Sequence, residues 1–362
     1  MAGRRVVVRE LSETPEEGIE RCSLEDQPEV DVGSLAADDV VIAVRAAAVG
    51  WVDVIMTSGQ YQHVPKLPYT PGLEYAGIVT HVGSTVTNVR PGDAVIADGL
   101  RTGPRSKGKY QQQGGFATWA TATADAVLPL PAGLSFAQGA SLLGNYETAW
   151  HVLATCGRVQ SGETVLIHGA TGGTGLAAVH VAKHLGATVI ATGRSADKLA
   201  IVKAQGADHV VIPEVIDGEP RFRDAVKTLT GGKGADVVYD GVGGPISIES
   251  LRCVKFGARF LVVGWASTPL VSRGKGLRGA PNANQLPTNL ILMKGLHVIG
   301  CPAVIATEHD PSIRPPRLAA VLDLVANGVR PVVAKSYELA DFRAAMHAKR
   351  ESREVGAIVL VP

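Results

Sequence analysis

The chain has 362 residues, 46% of them apolar and 19% charged, with 42 glycines. That supply of core and turn residues fills two or three domains and excludes a fibrous, low-complexity or disulfide-scaffold protein. Lys and Arg total 35 against 34 Asp and Glu, a net charge of +1, which lacks the concentrated basic field that draws nucleic acid or a membrane surface.

Met1-Ala2-Gly3-Arg4-Arg5 runs into three valines before Arg9, too short a stretch for a signal-peptide core. No apolar run approaches the roughly 18 residues that span a bilayer. Cys22, Cys156, Cys253 and Cys301 stand far apart without C-x-x-C spacing, so neither a zinc lobe nor a disulfide framework is expected. A reduced, cytoplasmic protein with no membrane contact follows. His63, His151, His168 and His180 show no metal spacing.

Residues 1–134 read as the first part of a β domain. Val40–Val44 and Gly77–Val82 are apolar runs, and Val89–Ile96 is broken by Pro91-Gly92-Asp93. Short β-branched segments between Gly and Pro turns predict a barrel. Residues 100–115 are polar and rich in breakers, which predicts a long loop. From about Gly139 the period changes. A helix over 141–152 precedes strands at 163–168, 188–192, 208–212, 236–240 and 259–263, with helices at 175–185, 196–205, 221–230 and 245–255 between them. Apolar strands alternating with helices predict a doubly wound parallel sheet over 135–304. Residues 305–362 return to the first domain through a helix at 316–327 and the strand 357–361.

The strand-to-helix turn Gly169-Ala170-Thr171-Gly172-Gly173-Thr174-Gly175 has the form of a dinucleotide phosphate loop. Glycines let the backbone approach a pyrophosphate, and a helix N-terminus supplies free N–H groups. Ala170, Gly172, Gly173, Thr174 and Gly175 are the candidate contacts. At the end of the next strand, Thr192-Gly193-Arg194-Ser195 carries no carboxylate for a ribose hydroxyl. Gly193, Arg194, Ser195 and Lys198 instead suit a 2′-phosphate, so the expected cofactor is NADPH. Ser195 also reads as an ordinary helix N-cap, which leaves Arg194 free.

This order of parts resembles the medium-chain dehydrogenase/reductase superfamily over nearly the whole chain, and implies a Rossmann domain joined to a chaperonin-10-like (GroES-like) β-barrel catalytic domain. Pro71–Gly77 is similar to that superfamily's Gly-His-Glu-x-x-Gly segment, and Ala48–Asp53 to its Cys-x-x-Asp segment. Gly50 and Leu73 stand where zinc enzymes carry ligands, so no metal is expected. Ser58-Gly59-Gln60-Tyr61, Leu67–Gly72, Asn145–Ala149, Asp236–Asp240 and Leu286–Leu290 resemble the zinc-independent NADPH:quinone oxidoreductase group. The chain departs from that group at Gly50, where Asn is usual, at Ile212-Pro213 in place of Asn-Tyr, and at Gly356-Ala357 in place of Gly-Lys.

The resemblance implies hydride transfer from NADPH to a quinone or an α,β-unsaturated carbonyl. It places Thr148, Gly264 and Trp265 at the nicotinamide and makes Tyr61 the candidate proton donor. Tyr61 also reads as a packed tyrosine at the rim of the first domain. The alternatives are a 2-enoyl thioester reductase, served by the basic stretches Arg101–Lys109 and 273–278, and an NADPH-binding sensor with little turnover. The strand Leu296–Gly300 at the Rossmann edge predicts a homodimer.

Overall fold

Short β-branched runs closed by Gly and Pro turns build the first of two units into which the chain divides. The computed structural model describes residues 3–267 and 284–362. Unit one holds 3–144 and 330–362, and unit two holds 145–267 and 284–329. The sequence placed the joins at 134/135 and 304/305; the units change over at 144/145 and 329/330.

Unit one is organised by the strand Asp39–Ala48, ten residues long and buried along most of its length. It pairs antiparallel with Glu74–Val82, Trp119–Thr123 and Ala357–Val361. The sheet order is Val333–Glu338, Ala357–Val361, Asp39–Ala48, Glu74–Val82, Ala94–Ala97, Val127–Pro129. Two strands from the end of the chain, Val333–Glu338 and Ala357–Val361, therefore extend the sheet organised by Asp39–Ala48. The helix Phe342–Arg350 seals the core with Phe342, Ala345 and Met346, all fully buried.

Unit two is a six-stranded parallel sheet. Its strands are β1 (Thr164–Ile167), β2 (Thr188–Thr192), β3 (His209–Val211), β4 (Ala235–Asp240), β5 (Val254–Val262) and β6 (His297–Gly300), in the order 3-2-1-4-5-6. Val165, Leu166 and Ile167 in β1 and Val189, Ile190 and Ala191 in β2 are fully buried. Both faces must therefore be covered, and helices do so. Helix α1 (Gly173–His184) follows β1 and helix α2 (Ala196–Ala204) follows β2. The order reverses between β1 and β4, and ligands of such sheets gather at the strand ends there.

Among the polar residues buried in this unit, His168 lies in the core with two hydroxyl partners. His168, 1% exposed, places Nδ1 2.8 Å from Thr192 Oγ1 and Nε2 2.7 Å from Ser250 Oγ. Ser250 already donates to the Ile246 carbonyl at 2.7 Å, so these bonds assign the ring hydrogen to Nε2 and make Nδ1 an acceptor. Burial pushes His168 down to about 4. A histidine held neutral when folded costs nothing above about pH 6.5, where the unfolded chain is neutral too. Stability is lost as pH falls from there toward 4, because only the unfolded state takes up the proton. Urea unfolding at pH 7.5 and pH 5 is expected to show wild type losing about 2 kcal/mol more than His168→Gln; equal losses would remove His168 from the account.

Candidate functional site

The chain leaves β1 through His168, turns at Gly169 with φ +67°, and enters α1 directly. Gly175 is required by this geometry: a Cβ there would stand 2.1 Å from the Gly169 carbonyl oxygen. Gly172 is the N-cap, in extended conformation, and offers no side-chain acceptor to the first turn of the twelve-residue α1. A Cβ at Gly172 would meet the Gly169 carbonyl at 3.5 Å and nothing nearer. The first-turn N–H groups of a helix lack intrahelical acceptors and carry a partial positive charge. The cradle of Ala170, Gly172, Gly173, Thr174 and Gly175 thus fits an anion such as a dinucleotide pyrophosphate.

Asn145, the first residue of the Asn145–Ala149 motif, steadies the loop. Thr174 Oγ1 donates to Asn145 Oδ1 at 2.9 Å. Its signal was only the motif itself, since the two residues meet across the fold. Asn145 and the half-buried Thr148 lie on one helix, Leu143–Trp150. That helix is anchored by Glu147, which accepts from Arg314 at 2.9 and 3.1 Å and from Arg317 at 3.0 Å, all three buried.

At the end of β2, Gly193 lies against the loop: a Cβ there would stand 3.5 Å from Thr171 Cγ2. Arg194 is exposed, and Ser195 caps α2 by accepting from the Lys198 N–H at 3.4 Å. The cap engages the Ser195 side chain and leaves the guanidinium at the strand end. Beyond β5, the Gly264 N–H donates to the Asp240 carbonyl at 3.2 Å, and Trp265 is 49% exposed. The Asp240 carboxylate is an internal acceptor, taking the Val242 and Gly243 N–H groups at 2.9 Å and the Ser247 hydroxyl. Unit two therefore brings the phosphate loop, Gly193 and Asn145 together.

In unit one, Tyr61 follows the helix Trp51–Met56 and is half-buried. Its ring packs on the core cluster, and Gln62 Nε2 lies 3.4 Å from its hydroxyl. Gly50 and Leu73, the two positions that the resemblance aligned with zinc ligands, both donate backbone N–H groups to one carboxylate. Asp53 accepts the N–H groups of Gly50 at 2.9 Å, Gly72 at 2.8 Å and Leu73 at 3.1 Å. Burial raises Asp53 to about 6 against the pull of those three bonds. Glu74 accepts the Gly144 N–H and lies 3.8 Å from Arg105. Among the described residues no group of three His, Cys, Asp or Glu side chains could hold a metal ion.

Three basic side chains of the described loop face carboxylates elsewhere in unit one. Arg101 meets Asp125 at 2.9 Å, Lys109 meets Asp39 at 2.9 Å, and Arg105 faces Glu74. The second basic stretch, 273–278, lies outside the described residues. Among the described residues no helix is long and apolar enough to cross a membrane.

Comparison with known proteins places these features. Residues 36–132 match the alcohol dehydrogenase GroES-like domain and residues 173–304 the zinc-binding dehydrogenase domain. The chain is 30% identical to a quinone oxidoreductase-like protein 2 homolog of Nematostella vectensis, over 90% of this chain and 82% of that one. It is 31% identical to the quinone oxidoreductase of Rattus norvegicus, over 86% of this chain and 85% of that one. The crystal structure of the Escherichia coli quinone oxidoreductase complexed with NADPH superposes with a TM-score of 0.77 at 26% identity, covering 99% of this chain and 100% of that one. With a GroES-like unit, a 3-2-1-4-5-6 parallel sheet and zinc-ligand positions taken by Gly50 and Leu73, the chain is an oxidoreductase that belongs to the zinc-independent, quinone oxidoreductase-like group of the medium-chain dehydrogenases/reductases.

Proposed function

We propose that the protein is an NADPH-dependent reductase that delivers hydride to quinones or α,β-unsaturated carbonyls. The observation that carries this reading is the uncapped N-terminus of α1 beside a β2 end bearing Arg194 in place of a carboxylate. It is supported by the NADPH complex of the E. coli relative. On this reading Ala170, Gly172, Gly173, Thr174 and Gly175 hold the pyrophosphate. Gly193, Arg194, Ser195 and Lys198 line the 2′-phosphate, with Arg194 the charged donor. Thr148, Gly264 and Trp265 take the nicotinamide. Bound there, NADPH supplies a hydride equivalent from its nicotinamide ring.

What the chain must add is a donor for the oxygen on which negative charge grows as the acceptor is reduced; one such donor is worth about 3 kcal/mol. Tyr61 is assigned that part, its O–H giving the proton to the acceptor's carbonyl oxygen. An easily reduced quinone leans on this donor less than an enone does. Arg101, Arg105 and Lys109 each face a carboxylate, Asp125, Glu74 and Asp39, which lowers the net positive charge this loop offers a phosphate-rich carrier and favours a small acceptor. The protein is further assigned to the cytoplasm, as a homodimer joined through β6. That strand is a sheet edge whose residues are mostly exposed.

Two measurements test the reading. NADPH oxidation at 340 nm against a benzoquinone, a naphthoquinone, a simple enone and a crotonyl thioester is expected to show turnover of the first three, unchanged by a chelator. In Tyr61→Phe the enone rate is expected to fall about 100-fold while the quinone rates fall less. Turnover of the thioester alone would favour an enoyl reductase, and NADPH binding without turnover would favour a sensor. Separately, Arg194→Ala is expected to raise the KM for NADPH about 10- to 100-fold and leave that for NADH unchanged. Equal effects on both would remove Arg194 from the 2′-phosphate.

A further inference from the structure

Backbone pairing between β1 and β2 runs from Thr164–Thr188 to Ile167–Ala191 and stops there. One residue further on, each strand is still held on its other side. The His168 N–H donates to the Tyr239 carbonyl of β4 at 3.0 Å, and the Gly193 N–H to the Val211 carbonyl of β3 at 3.4 Å. Between β1 and β2 the next pair, His168 and Thr192, is joined through its side chains. Thr192 Oγ1 lies 2.8 Å from His168 Nδ1 and, with the ring hydrogen on Nε2, donates to it.

The ring has little freedom to leave that bond. Its Nε2 faces Ser250 Oγ at 2.7 Å, at the end of the helix Pro245–Ser250 that follows β4. The Phe222 ring packs on it, tilted, with the two centroids 5.4 Å apart. His168, Thr192, Ser250 and Phe222 are each 3% exposed or less. Burial pushes the imidazole down to about 4, so at neutral pH one ring nitrogen carries no hydrogen and accepts the Thr192 hydroxyl. A buried bond whose partners cannot turn to water holds its geometry more firmly than an exposed one.

Two loops hang from this pair. Gly169, next after His168, opens the turn into α1, while Gly193 and Arg194 follow Thr192. We infer that His168 and Thr192 are positioning residues: their bond sets the spacing between the pyrophosphate cradle at the end of β1 and Arg194 at the end of β2, and with it the preference for NADPH over NADH. Both are too buried to touch the cofactor themselves. The two cofactors share the pyrophosphate and differ at the 2′-phosphate. A shift of one strand end against the other therefore falls on the contact that only NADPH makes, and a charge-assisted hydrogen bond weakens steeply with distance and angle. The inference rests on the cofactor reading above and adds to it the residues that hold its two anion contacts in register.

The test measures Kd for NADPH and for NADH on the full chain by isothermal titration calorimetry, with wild type expected to bind NADPH more tightly. Thr192→Val keeps the β-branched shape and removes the donor. It is expected to lower the preference for NADPH about 5- to 10-fold, mostly through the Kd for NADPH. Thr192→Ser, which restores a hydroxyl, is expected to stay within about twofold of wild type. Ser250→Ala takes away the ring's other partner and is expected to lower the preference about threefold. On an Arg194→Ala background, Thr192→Val is expected to change the ratio by less than about twofold, because both substitutions act on one contact. If Arg194→Ala abolishes the preference but folded Thr192→Val and Ser250→Ala keep it, the inference is wrong and the cofactor reading stands. Equal weakening of both cofactors in Thr192→Val would also overturn the inference, leaving the bond a purely structural one. A wild type without preference would overturn the cofactor reading and this inference with it.

Discussion

The feature on which the nucleotide unit turns is a helix that begins without a cap. Ser, Thr, Asp and Asn side chains are the preferred acceptors for a helix's first N–H groups, as Ser195 is for α2. Other helices of unit two, such as Arg223–Leu229 and Ala303–His309, also start without one of these. Helix α1 opens on Gly172 and has no such acceptor. The close approach of Gly175 to the Gly169 carbonyl then seats its first turn directly against the end of β1. Forgoing a cap costs a few tenths of a kcal/mol to about 1 kcal/mol. The unfilled donors and the dipole behind them are what an anionic ligand can use. Asn145 holds Thr174, and Glu147 with its two arginines holds the helix that carries Asn145. The packing around the loop thus serves to keep it open at one place.

Unit one shows a converse solution. Asp53, the acidic residue of the Ala48–Asp53 segment, draws three backbone N–H groups from two segments onto itself, those of Gly50 and Leu73 among them. A carboxylate accepting several N–H groups ties loops together without metal chemistry. Burial still drives its affinity for a proton up, so the three bonds only partly offset the loss of hydration. The three bonds give Asp53 a structural part within unit one, holding Gly50, Gly72 and Leu73 in place.

What the sequence made legible was local. The glycines of 169–175, the missing carboxylate after Thr192 and the zinc-ligand positions Gly50 and Leu73 each follow from a single residue in a readable context. Strands β1, β2 and β4 were legible because each is short and apolar. Strand β5 runs over Val254–Val262 and starts where the sequence suggested the end of a helix, because Lys255 and Arg259 interrupt its apolar run. The meeting of Asn145 with Thr174 and of Asp53 with Leu73 was not, because those contacts depend on how distant segments fold back. The hairpin Glu214–Ile216 with Glu219–Arg221 escaped notice because its strands are three residues long and polar.

The measurement that bears most directly on the uncapped helix is the affinity of Gly172→Asp for NADPH, read beside its thermal unfolding. Gly172 has an extended backbone that any residue adopts, and a Cβ there meets no closer neighbour than 3.5 Å. Aspartate at that position is a good N-cap, so Tm is expected to hold or rise slightly. The same carboxylate fills the anion cradle, and the Kd for NADPH is expected to rise about 100-fold or more. Tight NADPH binding by a stable Gly172→Asp protein would contradict the account, because it would mean that the first turn of α1 is not where the pyrophosphate sits.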